Sequence, residues 1–217
     1  MNLFAHYYFH HRPGNCTYNA GLLFPDLLRM LTLNQRVGLN KLQNSISKIH
    51  SENLISGIVQ HFEADHQFHN WAWFIEKNKQ LTQSIRNEGL NIKRDWFLAH
   101  IMIELAIDHV LVCQNKPMVA KLYSDLGACE HQWDLFFKNQ GFSELRLWTV
   151  GLHKFRASEY IFSYKDTDNV IYALNRIYQN AGIGTLSDIQ TKFLVVILNN
   201  LIPEIKSKLN ELQKILT

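Results

Sequence analysis

Apolar residues recur every three to four positions along most of the chain, the period at which one face of an α-helix is covered. Over residues 1–12 the pattern is too short to decide between a short helix and an extended arm. Residues 16–20 read as a turn, after which Gly21-Leu-Leu-Phe-Pro-Asp-Leu-Leu-Arg-Met-Leu31 resumes an apolar pattern. Pro25 is expected in the first turn of that helix, where proline is tolerated, with Asp26 just inside its start. Residues 33–50 are polar and mixed, a short helix plus a loop. Ser51 and Asn53 open a long helix that runs to about Glu88, where Gly89 gives a stop. Trp71, Phe74, Ile75, Asn78 and Leu81 keep the helical spacing through its second half. Further helices are predicted from Ile92 to Asn115, closed by Pro117; from Met118 to Gln140, ended by Gly141; and from Ser143 to about Tyr164. Two more run from Thr167 to Asn180, capped by Asp166 or Thr167 and stopped by Gly182, and from Ser187 to Ile215, kinked near Pro203. No stretch rich in Gly, Pro or Ser divides the chain, and there is no internal repeat, glycine-rich phosphate loop or Gly-x-Ser-x-Gly elbow. The prediction is one all-α domain of seven or eight helices over residues 1–217.

With 217 residues, 47% hydrophobic and 19% charged, the chain can bury a core without disulfide or metal staples. A net charge of +3 is mild, and Arg86, Lys93 and Arg94 are scattered, so no nucleic-acid partner is expected. A weakly basic surface suits an acidic partner. Cys16, Cys113 and Cys129 are odd in number and lack CxxC spacing, which fits reduced thiols in a cytoplasmic protein. Histidines stand near the N-terminus where a secretory signal would carry an apolar run. The apolar stretch Phe97–Cys113 is interrupted by His100, Glu104, Asp108 and His109, so it is expected not to span a membrane.

Those interruptions are where chemistry is expected. His61, Asp65 and His69 fall at i, i+4 and i+8, one row along a helix, with Glu63 and His66 between them. Such a row is about 12 Å long, so its two ends cannot ligate one ion, while neighbouring members can. His100, Glu104 and Asp108 repeat the spacing, with His109 adjacent, in a segment otherwise apolar on all sides. A helix of that kind is buried, and a buried carboxylate is costly unless it is paired or coordinates a cation. Facing each other across a helix contact of about 8–10 Å, the two rows would hold one or two ions; the competing reading pairs these groups with Lys or Arg. Mixed nitrogen and oxygen ligands suit Mn, Fe or Zn. An ion held there lowers the pKa of a bound water, with Asp65 or Asp108 as base and His109 orienting the water or protonating the leaving oxygen. Asp26 reads equally as a charge partner of a helix start. His10, His11, His50, His131 and His153 carry no motif and read as ordinary histidines. Glu63-Ala-Asp-His66 has the Glu-x-x-His spacing of carboxylate-bridged di-iron bundles, an alternative that wants two such motifs where one is found.

Several of these pieces resemble the bacterial acyl carrier protein phosphodiesterases, whose members begin Met-Asn-Phe-Leu-Ala-His and continue with Gly-Asn-Leu-Leu-x-Asp-Phe. Then come Gly-Ile-x-x-His-Arg-x-Ile-Asp-x-Phe-Thr-Asp and Asp-x-x-x-Asp-His-Phe-Leu. The corresponding pieces here, in the same order, are Met1-Asn-Leu-Phe-Ala-His6, Gly21-Leu-Leu-Phe-Pro-Asp26, Gly57-Ile-Val-Gln-His61 through Asp65 to His69, and Glu104-Leu-Ala-Ile-Asp108-His109. Tyr160-Ile-Phe-Ser-Tyr164 is similar to that family's Trp-Leu-x-x-Tyr segment. The resemblance implies an HD-like helical fold and a manganese-dependent hydrolase that releases 4′-phosphopantetheine from acyl carrier protein. It implies site roles for His6, Asp26, His61, Asp65, Asp108 and His109. The chain departs from the pattern at Phe62, where the family has Arg, at Phe68-His69, where it has Thr-Asp, and at Glu104, where it has Asp. Those departures leave room for a different phosphoester, or for a relative that binds a carrier protein without catalysis.

Overall fold

A computed structural model describes residues 1–32, 52–133, 136–137 and 145–216. The chain is all-α: the described elements are α1 (Leu3–His10), α2 (Cys16–Leu31), α3 (Glu52–His69), α4 (Ala72–Asn87), α5 (Asp95–Gln114), α6 (Lys116–Ala128), α7 (Leu145–Ser158), α8 (Thr167–Asn180) and α9 (Asp188–Leu216). Short 3-10 turns cover Glu130–Gln132 and Tyr160–Lys165, and there is no strand among the described residues. The helix expected within residues 33–50 and the start at Ser143 lie outside them, whereas the helix expected to reach Gln140 ends already at Ala128, before the turn at Glu130–Gln132.

The described residues group into two compact units. In the first, built from Leu3–His66 and Asn115–Ile161, α2 is the hub and touches α1, α6 and α7. Asn15 starts α2 by accepting a hydrogen bond from the Tyr18 N–H, so the segment read as a turn is the helix's first turn. Pro25 consequently sits in the helix interior, not its first turn, and Asp26 is too far along to pair with the helix start. Pro25 cannot donate to the Gly21 carbonyl one turn back. At that same turn α2 crosses α3 with nothing between the backbones. A Cβ on Gly57 would collide with the Tyr18 carbonyl oxygen, and one on Gly21 with that of Leu54. Phe24 anchors an aromatic core against Trp133, Phe136, Phe137 and Trp148. Tyr7 and Asn19 both donate to the buried Asp125, which Lys121 also pairs.

The second unit comprises Met1–Asn2, Gln67–Gln114 and Phe162–Thr217. Its axis is α5, packed by α4, α8 and α9 and buried almost continuously from Leu98 to Val112. By length and composition α5 could cross a membrane, but most of its surface is covered by protein. The single helix expected from Ser51 to Glu88 is broken at Asn70-Trp71. Trp71 takes an extended conformation (φ −66°, ψ 121°), buries its ring and donates its indole N–H to Glu211. Glu159, in the left-handed region (φ 45°), likewise ends α7 before the expected boundary at Tyr164. The helix expected from Thr167 to Asn180 is found at those bounds, with Gly182 just beyond it at φ 68°.

Candidate metal centre

The buried stripe of α3 runs Leu54, Ile58, His61, Ala64 and Phe68, at helical spacing. His61 thus occupies a core position, and the glycine crossing brings α2 close enough to reach it. The His61 Nδ1 lies 2.8 Å from the Leu22 carbonyl oxygen. A carbonyl only accepts, so Nδ1 carries the proton and the Nε2 lone pair is left for another partner. One turn on, Asp65 lies with Oδ2 3.7 Å from that Nε2. Helix α1 supplies the third member: the His6 ring stacks on His61 at 3.8 Å and 19°, its Nε2 3.1 Å from Asp65 Oδ1. His6, His61 and Asp65 each offer one ligand atom, all within 4.8 Å of one another.

His6 is fully buried; its Nε2 faces the Asp65 carboxylate, and its Nδ1 has no hydrogen-bond partner. Burial, reinforced by the neighbouring His61, lowers its pKa to about 3, so the ring is neutral at physiological pH. Burial works against ionisation of Asp65, but the hydrogen bond from His6, with the charges around it, prevails and holds its carboxyl well below the usual range. The set therefore presents a buried neutral imidazole, a second with its tautomer fixed, and a carboxylate. Such donors could hold a divalent cation.

A second convergence lies in the other unit. His69, His100 and Glu104 also offer ligand atoms within 4.8 Å of one another. Glu104 Oε1 is 3.3 Å from His69 Nε2, 3.1 Å from His100 Nε2 and 3.2 Å from the Met1 amino nitrogen. Burial alone would push the Glu104 carboxyl up, and the Met1 amino charge with the hydrogen bonds to His100 and His69 brings it well below the ordinary value.

The two predicted rows are thus each divided. His61 and Asp65 join His6, while His69 joins His100 and Glu104. Asp26, half-buried on α2, and Asp108, fully buried on α5, fall outside both sets. So does His109, whose Nδ1 donates to the Tyr164 carbonyl oxygen at 2.7 Å and whose Nε2 lies 3.9 Å from Cys113 Sγ. Glu63 and His66 are exposed. His10, which carries no motif in the sequence, has a buried Nε2 without a hydrogen bond, and burial with the nearby His61 lowers its pKa to about 4. Its signal was present in the spacing: His6 and His10 are one helical turn apart. Comparison of the chain with protein-family models, curated proteins and solved structures gives no match.

Proposed function

We propose that the chain is a divalent-metal-dependent phosphodiester hydrolase, HD-like in its helical arrangement and similar in chemistry to the acyl carrier protein phosphodiesterases. The observation that supports it is the convergence at His6: a fully buried, neutral imidazole, its Nδ1 without a partner, stacked on a second imidazole and with its Nε2 3.1 Å from a carboxylate oxygen. A buried ring nitrogen left without a partner costs about 1–3 kcal/mol, part of which a cation bound to the ring would offset. In this reading His6, His61 and Asp65 hold the ion, Mn in the family it resembles and Fe or Zn on ligand chemistry alone. When bound, such an ion supplies a water of lowered pKa and neutralises charge on the phosphoryl oxygens.

The chain's own groups do the rest. The Leu22 carbonyl fixes the His61 tautomer and ring plane. Asp65 is held ionised, the state in which a carboxylate ligates a cation. The acidic carrier protein is the partner proposed, in keeping with the net charge of +3.

The test is hydrolysis of bis(p-nitrophenyl) phosphate and of holo acyl carrier protein, with manganese and after chelation. Chelation is expected to abolish turnover, and His61→Ala and Asp65→Ala to lower it at least about 100-fold with helical circular dichroism retained. Undiminished turnover in both variants would remove this set from the reaction.

A further inference from the structure

We propose that His69, His100 and Glu104 form a second site for a divalent first-row transition-metal ion, one that shares no ligand with His6, His61 and Asp65. Donor spacing is the first support. Bonds of about 2.0–2.2 Å to a tetrahedral ion set its ligand atoms about 3.4 Å apart. The two imidazole Nε2 atoms lie 3.3 and 3.1 Å from Glu104 Oε1, close to that edge length.

Packing fixes the rings in this attitude. His69 and His100 stack at 4.9 Å and 28°, and the buried Phe74 stands edge-on to both, at 5.5 and 5.1 Å. Phe68 closes the corner against His69 at 5.4 Å. With its walls set, both Nε2 atoms turn towards one carboxylate oxygen, so little side-chain ordering is left for an ion to impose.

Access is the second support. The His69 side chain is 37% exposed and that of His100 25%, whereas Glu104 is 10% exposed. The carboxylate is therefore the floor of the site and the imidazoles its rim. Three protein ligands with an open side are the arrangement that leaves a metal a water or an exogenous anion as its fourth ligand, in contrast to a closed four-ligand structural site. His69 and Glu104 are also two of the positions at which the chain departs from the phosphodiesterase pattern, and they meet here with His100.

The experiment is equilibrium dialysis of chelator-treated protein against Zn²⁺ alone, with the wild type, His69→Ala, His100→Ala and His61→Ala. The wild type is expected to take up two ions per chain. His69→Ala and His100→Ala should each weaken one of them at least about 100-fold and leave the other, which His61→Ala alone removes. The partial exposure of both rim residues favours retention of the fold, and circular dichroism checks it. In the wild-type protein, Zn²⁺ should also shift the imidazole NMR signals of His69 and His100. Unshifted signals, or unchanged binding in both rim variants, would overturn the second site while leaving the first untouched. Loss of an ion in the rim variants with none lost in His61→Ala would support the second site and sink the first.

Discussion

Replacing His6 with leucine in the metal-free protein tests whether this ring is buried in its neutral form. In the folded protein burial and the adjacent His61 lower its pKa from 6.5 to about 3. The unfolded chain therefore takes up a proton that the folded chain refuses. A depressed folded-state pKa gives stability that is complete above the unfolded value and lost as pH falls from about 6.5 towards 3. The slope approaches about 1.4 kcal/mol per pH unit, which gives about 2 kcal/mol between about pH 7.5 and 5. That interval lies above the range in which Asp65 titrates, and His10, present in both proteins, largely cancels. Urea unfolding of chelator-treated wild type and His6→Leu, followed by circular dichroism at the two pH values, reads the difference. The variant should lose about 2 kcal/mol less than the wild type on acidification. At the higher pH its stability should stay close to wild type, because the removal of the unpartnered Nδ1, about 1–3 kcal/mol, offsets the change of shape. Equal pH dependence in the two proteins would refute the argument for a neutral, buried His6.

Two further changes address what holds the first unit. Gly57→Ala drives a methyl group into the Tyr18 carbonyl oxygen and should cost about 1–3 kcal/mol, read by thermal melting; an unchanged midpoint would show that the helices are not in backbone contact. Tyr7→Phe removes the 2.8 Å donor to the buried Asp125, leaving Asn19 and Lys121, and should cost about 1–2 kcal/mol in urea unfolding; no loss would mean that the hydroxyl is not needed there.

The sequence conveyed helices better than their joints. Thr167–Asn180 was legible because a polar cap, an apolar stripe and a glycine stop agree. The break at Trp71 was not, because a large apolar residue at a core position continues the helical period whichever way its backbone turns. Pro25 misled for a related reason: proline marks first turns more often than interiors, and the Asn15 cap that fixes the true start is ten residues earlier. The rows of acids and imidazoles were legible as rows, and His69 does meet His100 and Glu104. Their assignment to one shared gap was not, because residues eight apart on a helix differ by about 80° around its axis and so reach different neighbours. His6 and His10 entered from α1, whose short segment carries too few turns for a period to be read.

Where α2 and α3 meet at Gly21 and Gly57, main chain rests on main chain. A contact of that kind has no rotamers to absorb a shift, so the distance from the Leu22 oxygen to the His61 ring is as rigid as the two helices themselves. A substitution at His6 or Asp65 leaves this hinge-less joint alone, whereas one methyl group at the crossing would shift the placement of His61 against both of them at once.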